Sequence, residues 1–204
     1  MKKTGIILLV CVFLAGSANI MAQKIKIKKG SLDFLKGTEV LNVTFDYSGM
    51  GVGKFDNEED YIEKKRKDYN EDEPGKGDRW AEHWVNDREK SYEPKFMELC
   101  NAYLEKADID AKKDHPEAEY TMIVHTVFTE PGFNVGIARK NAEIDAEVSI
   151  VKTSAPDDVK AFITVKKSPG RSFGGGDFDT ELRISEAYAK MGKELGKLIY
   201  KKTK

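Results

Sequence analysis

Cysteine and histidine are the scarcest chemistry-bearing residues in this chain, with two and three copies among 204 residues. One cysteine, Cys11, lies in an apolar stretch near the start; the other is Cys100. If the first segment is removed as a leader, no intrachain disulfide can form in the remainder. No serine stands in the Gly-x-Ser-x-Gly setting of a nucleophile elbow, and no cysteine–histidine pair is suggested. An excess of one charge is also lacking. Thirty-four Lys and Arg oppose 35 Asp and Glu, for a formal net charge of -1. With no long block of one sign, a nucleic-acid partner is not expected. No apolar run reaches the ~20 residues that a membrane-spanning helix needs. There are no internal repeats and no low-complexity segments.

The amino terminus carries an address. Lys2 and Lys3 precede an apolar run from Ile6 to Ala15, small residues, and then Ile20-Met21-Ala22. This is the layout of a secretory signal peptide, with cleavage expected after Ala22. Cys11 follows Val10 rather than a small residue and lies inside the apolar run, unlike a lipoprotein acylation site. The expectation is therefore a signal peptide over residues 1–22 and one domain over residues 23–204. The product would be exported, periplasmic or secreted, with no integral membrane span and no cofactor. Cys100 falls within an apolar helical pattern, so it reads as a small buried hydrophobe.

Within the domain, Lys24-Ile-Lys-Ile-Lys28 alternates strictly, as an edge strand protected by lysines would. It opens an arm over residues 23–38, in which Ser31 to Gly37 reads as a turn or a single helical turn. Glu39 to Asp46 is rich in β-formers. Tyr47 to Phe55 then carries alternating glycines. A phosphate loop would need glycine where Ser48 stands and Ser or Thr where Phe55 stands, so a flexible connection is expected. Asn57 to Tyr69 is a charged helix with acids first and lysines later. After Glu73-Pro-Gly-Lys-Gly77 a second helix starts at the N-cap Asp78. Trp80, Trp84, Tyr92, Phe96, Leu99 and Tyr103 follow its apolar face, and Pro94 should kink or divide it. Asp108 to Pro116 reads as a polar connection.

Three strands follow: Ala118 to Thr129, Ala142 to Ile150 and Ala161 to Lys167. The middle one alternates without error, with Ala142, Ile144, Ala146, Val148 and Ile150 on one face. Pro156-Asp157-Asp158 is the expected turn between the last two. Ser168 to Asp179 is a glycine-rich loop that starts on the turn dipeptide Pro169-Gly170. Thr180 to Tyr200 is the most regular helix. Ile184, Ala187, Tyr188, Met191, Leu195, Leu198 and Ile199 form its apolar face, with Ala189, Gly192 and Gly196 as a small-residue stripe beside it. Two mid-helix glycines cost about 1 kcal/mol each relative to Ala, which close approach to a sheet would offset.

The fold class is therefore α+β, an α/β sandwich. A mixed β-sheet of four main strands in the order β-α-α-β-β-β-α would carry its helices mainly on one face. The helical crossover makes the first two main strands parallel, and the short connections make the last three antiparallel. Three glycine-bearing loops then meet at one end of the sheet: Tyr47–Asn57, Glu130–Asn141 and Ser168–Asp179. Ligands of open α/β sheets tend to bind beyond the carboxyl ends of strands.

The alternating strand meander closed by Arg183-Ile-Ser-Glu-Ala-Tyr-Ala-Lys-Met-Gly-Lys-Glu-Leu-Gly196 resembles a group of envelope proteins of double-membraned bacteria. That group includes the amino-terminal domain of the Tol translocation protein and small lipoproteins that help assemble transport or surface-polymer machinery. The chain as a whole is similar to small exported proteins of anaerobic gut-type bacteria. The resemblance implies an envelope role and names no activity.

Candidate site residues follow from the loop geometry. Arg139 and Arg171 are the arginines of the converging loops and suit an anion, a carboxylate or an acidic partner surface; the alternative is that they bridge Glu130, Asp177 or Asp179. Asn134 and Asp177 stand in the same loops. Trp84, with Trp80, could stack on a sugar or belong to the core. His83 and Asp87 at i,i+4 supply only two of the three or four ligands that zinc takes. Asp177, Asp179 and Glu181 match a calcium loop only in part. A purely structural or self-associating protein is one function class that stays open, beside two more specific ones. One is a non-catalytic binding or assembly module whose partner is another envelope protein or an anionic ligand. The other is a hydrolase of an envelope polysaccharide or peptide that pairs Glu130 with Asp177 or Asp179.

Overall fold

A computed structural model describes residues 23–135, 138–170 and 179–204. Its strands are β1 (Lys24–Gly30), β2 (Val40–Asp46), β3 (Gly51–Val52), β4 (Asp110–Lys113), β5 (Tyr120–Glu130), β6 (Phe133–Asn134), β7 (Arg139–Lys140), β8 (Ala142–Lys152) and β9 (Ala155–Gly170). Its helices are α1 (Glu58–Asp72), α2 (Lys76–Asp87), α3 (Glu93–Leu104) and α4 (Thr180–Thr203). The main sheet runs β1-β9-β8-β5-β2-β4, with β3 added beside β5, and β6 and β7 form a separate ribbon. β5 is parallel to β2 and antiparallel to β8, and β8 is antiparallel to β9. The mixed sheet and its directions are those expected from the sequence.

Alternation decides which face is covered. Ala142, Ile144, Ala146, Val148 and Ile150 are fully buried, as are Ala161, Ile163 and Val165 on β9. Ile25 and Ile27 of β1 pack against the same core, while Lys24 and Lys26 stay exposed. β1 is the edge expected, and its lysines leave that edge unattractive to another strand.

Several local expectations are corrected. Two strands are added to the expected four and their edge: β3 beside β5, and β4, which residues 110–113 of the expected polar connection form. Residues 110–113 pair in parallel with Val40–Val43. Only Ala111 of β4 is buried, so its apolar signal is a single residue. The β8–β9 turn is Thr153-Ser154, with Lys152 opposite Ala155, so Pro156-Asp157-Asp158 lies within β9. Pro169-Gly170 also belongs to β9, opposite Glu143 and Ala142. A Cβ on Gly170 would stand 1.8 Å from the Arg183 carbonyl oxygen, so glycine lets α4 close onto the sheet there.

The second helix starts at Lys76 after Gly75 at φ 79°, and Asp78 sits in its first turn rather than at the cap. Gly77 N–H is satisfied by Asn70 Oδ1 at 2.7 Å. The helical run is divided just before Pro94, which stands in the first turn of α3. A π-helical turn, Arg88–Tyr92, joins α2 to α3 and takes up the missing proline N–H. The extra residue also rotates the apolar face. Phe96 and Cys100 are buried as expected, while Leu104 is buried and the expected Leu99 and Tyr103 are only half-buried.

The small-residue stripe of α4 meets a helix rather than a sheet. A Cβ on Gly192 would lie 2.2 Å from the Phe96 carbonyl oxygen, and one on Gly196 2.5 Å from that of Cys100. α3 and α4 thus pack backbone to backbone. Cys100 is buried beneath the contact, and burial pushes its thiol up to about 12. No helix among the described residues is long and apolar enough to cross a membrane.

Candidate functional site

Because β2, β5 and β9 run the same way, their carboxyl ends share one end of the sheet. The first loop is bonded to the end of β5, from which the second loop continues. Gly51 and Val52 pair with Phe128 and Thr129, and Gly53 N–H donates to the Thr129 carbonyl at 2.9 Å. Gly53 takes φ 60°, and a Cβ there would touch the Pro131 ring at 4.0 Å. His125 Nε2 donates to the Ser48 carbonyl at 2.9 Å. Asp46 accepts from Ser48 N–H at 2.9 Å and Ser48 Oγ at 3.0 Å; these bonds and His125 hold its carboxyl below the usual range despite partial burial.

Below the loops lies a polar network that the sequence did not announce. Glu58, in the first turn of α1, accepts from Trp84 Nε1 at 2.6 Å and pairs with Arg88. The Arg88 guanidinium lies 4.2 Å over the Tyr47 ring. Tyr47 OH donates to Glu93 at 3.3 Å, and Lys113 pairs with the other Glu93 oxygen. Tyr188 OH shares a 2.7 Å hydrogen bond with Thr126 Oγ1, and its ring stacks on Tyr92 with centroids 5.4 Å apart and planes 4° from parallel. Burial pushes the phenols of Tyr47, Tyr92 and Tyr188 far above their ordinary range, so all three stay protonated, and those of Tyr47 and Tyr188 are hydrogen-bonded. The space between Met50, Trp84, Arg88 and Tyr188 is a cavity of about 10 Å³, at the lower limit for one water molecule.

The sequence candidates divide. Trp84 is 5% exposed, stacks on Trp80 and donates its indole N–H to Glu58, which favours the core reading over sugar stacking. Asn134 and Arg139 face each other across the β6–β7 ribbon, with Arg139 exposed. Arg171 and Asp177 lie outside the described residues. Glu130 accepts from Gly132 N–H at 3.0 Å and from Lys140 Nζ at 2.6 Å, so Lys140 holds it. Asp179 is the N-cap of α4, accepting from Glu181 N–H at 2.9 Å. Among the described residues, no three His, Cys, Asp or Glu side chains converge as metal ligands.

Arg183 is the residue that sequence reasoning missed. It is 2% exposed, donates from Nε to the Pro131 carbonyl at 3.3 Å and from Nη2 to Thr180 Oγ1 at 2.9 Å. It ties the second loop to the first turn of α4. Its signal was its place one turn before Ala187, on the apolar face.

No family model matches the chain, and no curated protein matches it. Among solved structures, the chain is similar to the PelC dodecamer of Paraburkholderia phytofirmans, at 13% identity and a TM-score of 0.41, over 85% of this chain and 97% of that one. It is also similar to protein XCC0632 of Xanthomonas campestris, described by the family model DUF330, at 11% identity and a TM-score of 0.40, over 80% of this chain and 85% of that one.

Proposed function

We propose that the chain is a non-catalytic binding or assembly module of the bacterial cell envelope, and that its partner docks at the three-loop end of the sheet. The observation that carries this reading is the way the loops are fixed. Gly53 is bonded to β5, and Pro131 is held by the buried Arg183, so the first two loops share one rigid base. A binding surface needs that preorganisation, because ordering loose loops on contact costs affinity. The ribbon that bears Asn134 and Arg139 projects from this base, outside the main sheet. Its chemistry suits an anionic ligand or an acidic surface on another envelope protein. Residues 1–22 belong to this reading as the export signal.

The test is capture from the native envelope with the Arg139→Ala/Arg171→Ala double variant. The variant should fold as the parent does and lose the partner that the parent retains. Equal capture by both refutes the site. The hydrolase reading is weaker on a specific ground. Both Glu130 oxygens and the Asp179 carboxylate are committed to hydrogen bonds that hold the fold, whereas a general acid must present an accessible proton to the leaving group.

A further inference from the structure

A cleft opens beside the start of the first loop, between the end of β2 and the π-helical turn. Its volume is about 620 Å³, within the range of small-molecule sites. Phe45 and Tyr47, two residues apart where the chain leaves β2, meet Asn86, Arg88, Lys90 and Glu93 in its lining.

The π-helical turn assembles the polar wall. Five residues apart on a regular α-helix, Arg88 and Glu93 would diverge by about 140°. The wider turn, closed by Glu93 N–H on the Arg88 carbonyl, brings both side chains to Tyr47. The Arg88 guanidinium covers the Tyr47 ring at 4.2 Å, and Glu93 accepts from the Tyr47 hydroxyl at 3.3 Å. Such turns recur at functional sites, where the extra residue re-aims side chains that a regular helix would send apart.

Both charged groups are fixed from behind. Glu58 holds Arg88, and Lys113 holds Glu93, whose side chain is only 6% exposed. These pairings compensate charge and leave hydrogen-bonding capacity. A guanidinium carries five N–H donors, of which the Glu58 contact engages Nη2, and each Glu93 oxygen has two lone pairs. An ionic ligand of either sign therefore meets a wall whose charge is already balanced. A neutral ligand with paired hydroxyls meets donors and acceptors that are already aimed, and its ring C–H groups meet aromatic carbon. Locked side chains spare such a ligand the cost of ordering them.

We propose that this cleft binds a neutral saccharide, with Phe45 and Tyr47 as its apolar floor and Asn86, Arg88 and Glu93 as its hydroxyl-binding wall. The site uses neither the β6–β7 ribbon nor Arg139, so it stands independently of the partner surface proposed above.

The experiment is saturation-transfer NMR, which reads weak complexes. The probes are neutral trisaccharides of glucose, galactose, mannose and N-acetylglucosamine, with trigalacturonate as the acidic comparison. At least one neutral trisaccharide should show saturable transfer to its ring protons, and trigalacturonate should show none. Asn86→Ala, at an exposed position, and Phe45→Leu should each weaken binding by about fivefold or more, the worth of one hydrogen bond or a comparable contact. Asp68→Asn on the exposed face of α1 should not change it. Circular dichroism confirms that the variants are folded, and Asn86→Ala alone decides if Phe45→Leu is not. Absence of transfer to every neutral trisaccharide overturns the proposal, as does tighter binding of trigalacturonate. Unchanged affinity in the folded cleft variants overturns it too, and a loss seen only in Arg139→Ala/Arg171→Ala would place the sugar on the loop ribbon instead.

Discussion

The α-carbon of Gly192 faces the carbonyl oxygen of Phe96 so closely that a methyl group there would stand 2.2 Å from it. No real Cβ contact is that short, and the obstacle is backbone, so α3 and α4 would have to part. Gly192→Ala gains about 1 kcal/mol of helix propensity and loses more than that in overpacking, which costs about 1–3 kcal/mol even where side chains can yield. The expected net effect is destabilisation by about 2 kcal/mol and a Tm lower by roughly 4–8 °C. Gly196→Ala, with 2.5 Å available, should show a smaller loss. Thermal melts of both variants check the order; a Gly192→Ala protein that melts at or above the parent temperature contradicts the close packing of the two helices.

A second prediction concerns the Glu58–Arg88 pair, whose side chains are 11% and 18% exposed. Glu58 satisfies both the Trp84 indole N–H and the guanidinium. In Glu58→Gln the amide oxygen can still accept from Trp84, but Arg88 then faces an uncharged amide in a poorly solvated place. Losing one partner of such a pair costs about 3–5 kcal/mol when burial is complete, so about 2–3 kcal/mol is expected here. Adding Arg88→Met removes the stranded charge and should recover at least about 1 kcal/mol of that loss, the coupling expected of residues in contact. Urea denaturation of the two single variants and the double variant measures it. Strict additivity would show that the pair is held apart by water.

These two sites mark how far the sequence was legible. The sheet order could be read because β8 alternates cleanly and because a long helical crossover favours a parallel pair. The α4 glycines were legible as a close approach, but their partner was not, since a stripe of small residues does not say whether a helix or a strand lies opposite. β4 was hidden because an edge strand with only Ala111 buried has no apolar alternation to display. The π-helical turn was hidden behind Pro94, which signals a break and does not say that one extra residue will absorb it. That shift in turn moved Leu104 inward and left Leu99 and Tyr103 half-buried. The network of Glu58, Arg88, Tyr47 and Glu93 joins residues 30 or more positions apart, and such pairings leave no local periodicity. Trp84 was ambiguous for the same reason, because its partner Glu58 lies on another helix.

Asp87 supplies a pH dependence with a defined sign. Burial, and then the charge of Glu181, push its carboxyl from the ordinary 3.8 up to about 6. The folded chain therefore holds this proton more tightly than the unfolded chain. Its contribution to stability is full below about pH 4, declines as pH rises towards 6, and is lost above that. A shift of that size would correspond to nearly 3 kcal/mol for a fully buried group; Asp87 is only partly buried, and solvent screening reduces the expected effect to about 1 kcal/mol. Asp87→Asn removes the charge and keeps the shape. It should be more stable than the parent by about 1 kcal/mol at pH 7.5, and the two should converge near pH 4. Denaturation midpoints across that range decide it. A variant that is less stable than the parent at pH 7.5 would mean that the Asp87 carboxylate is stabilised by a cationic neighbour, Lys90 or His83, more strongly than it is opposed by burial and Glu181.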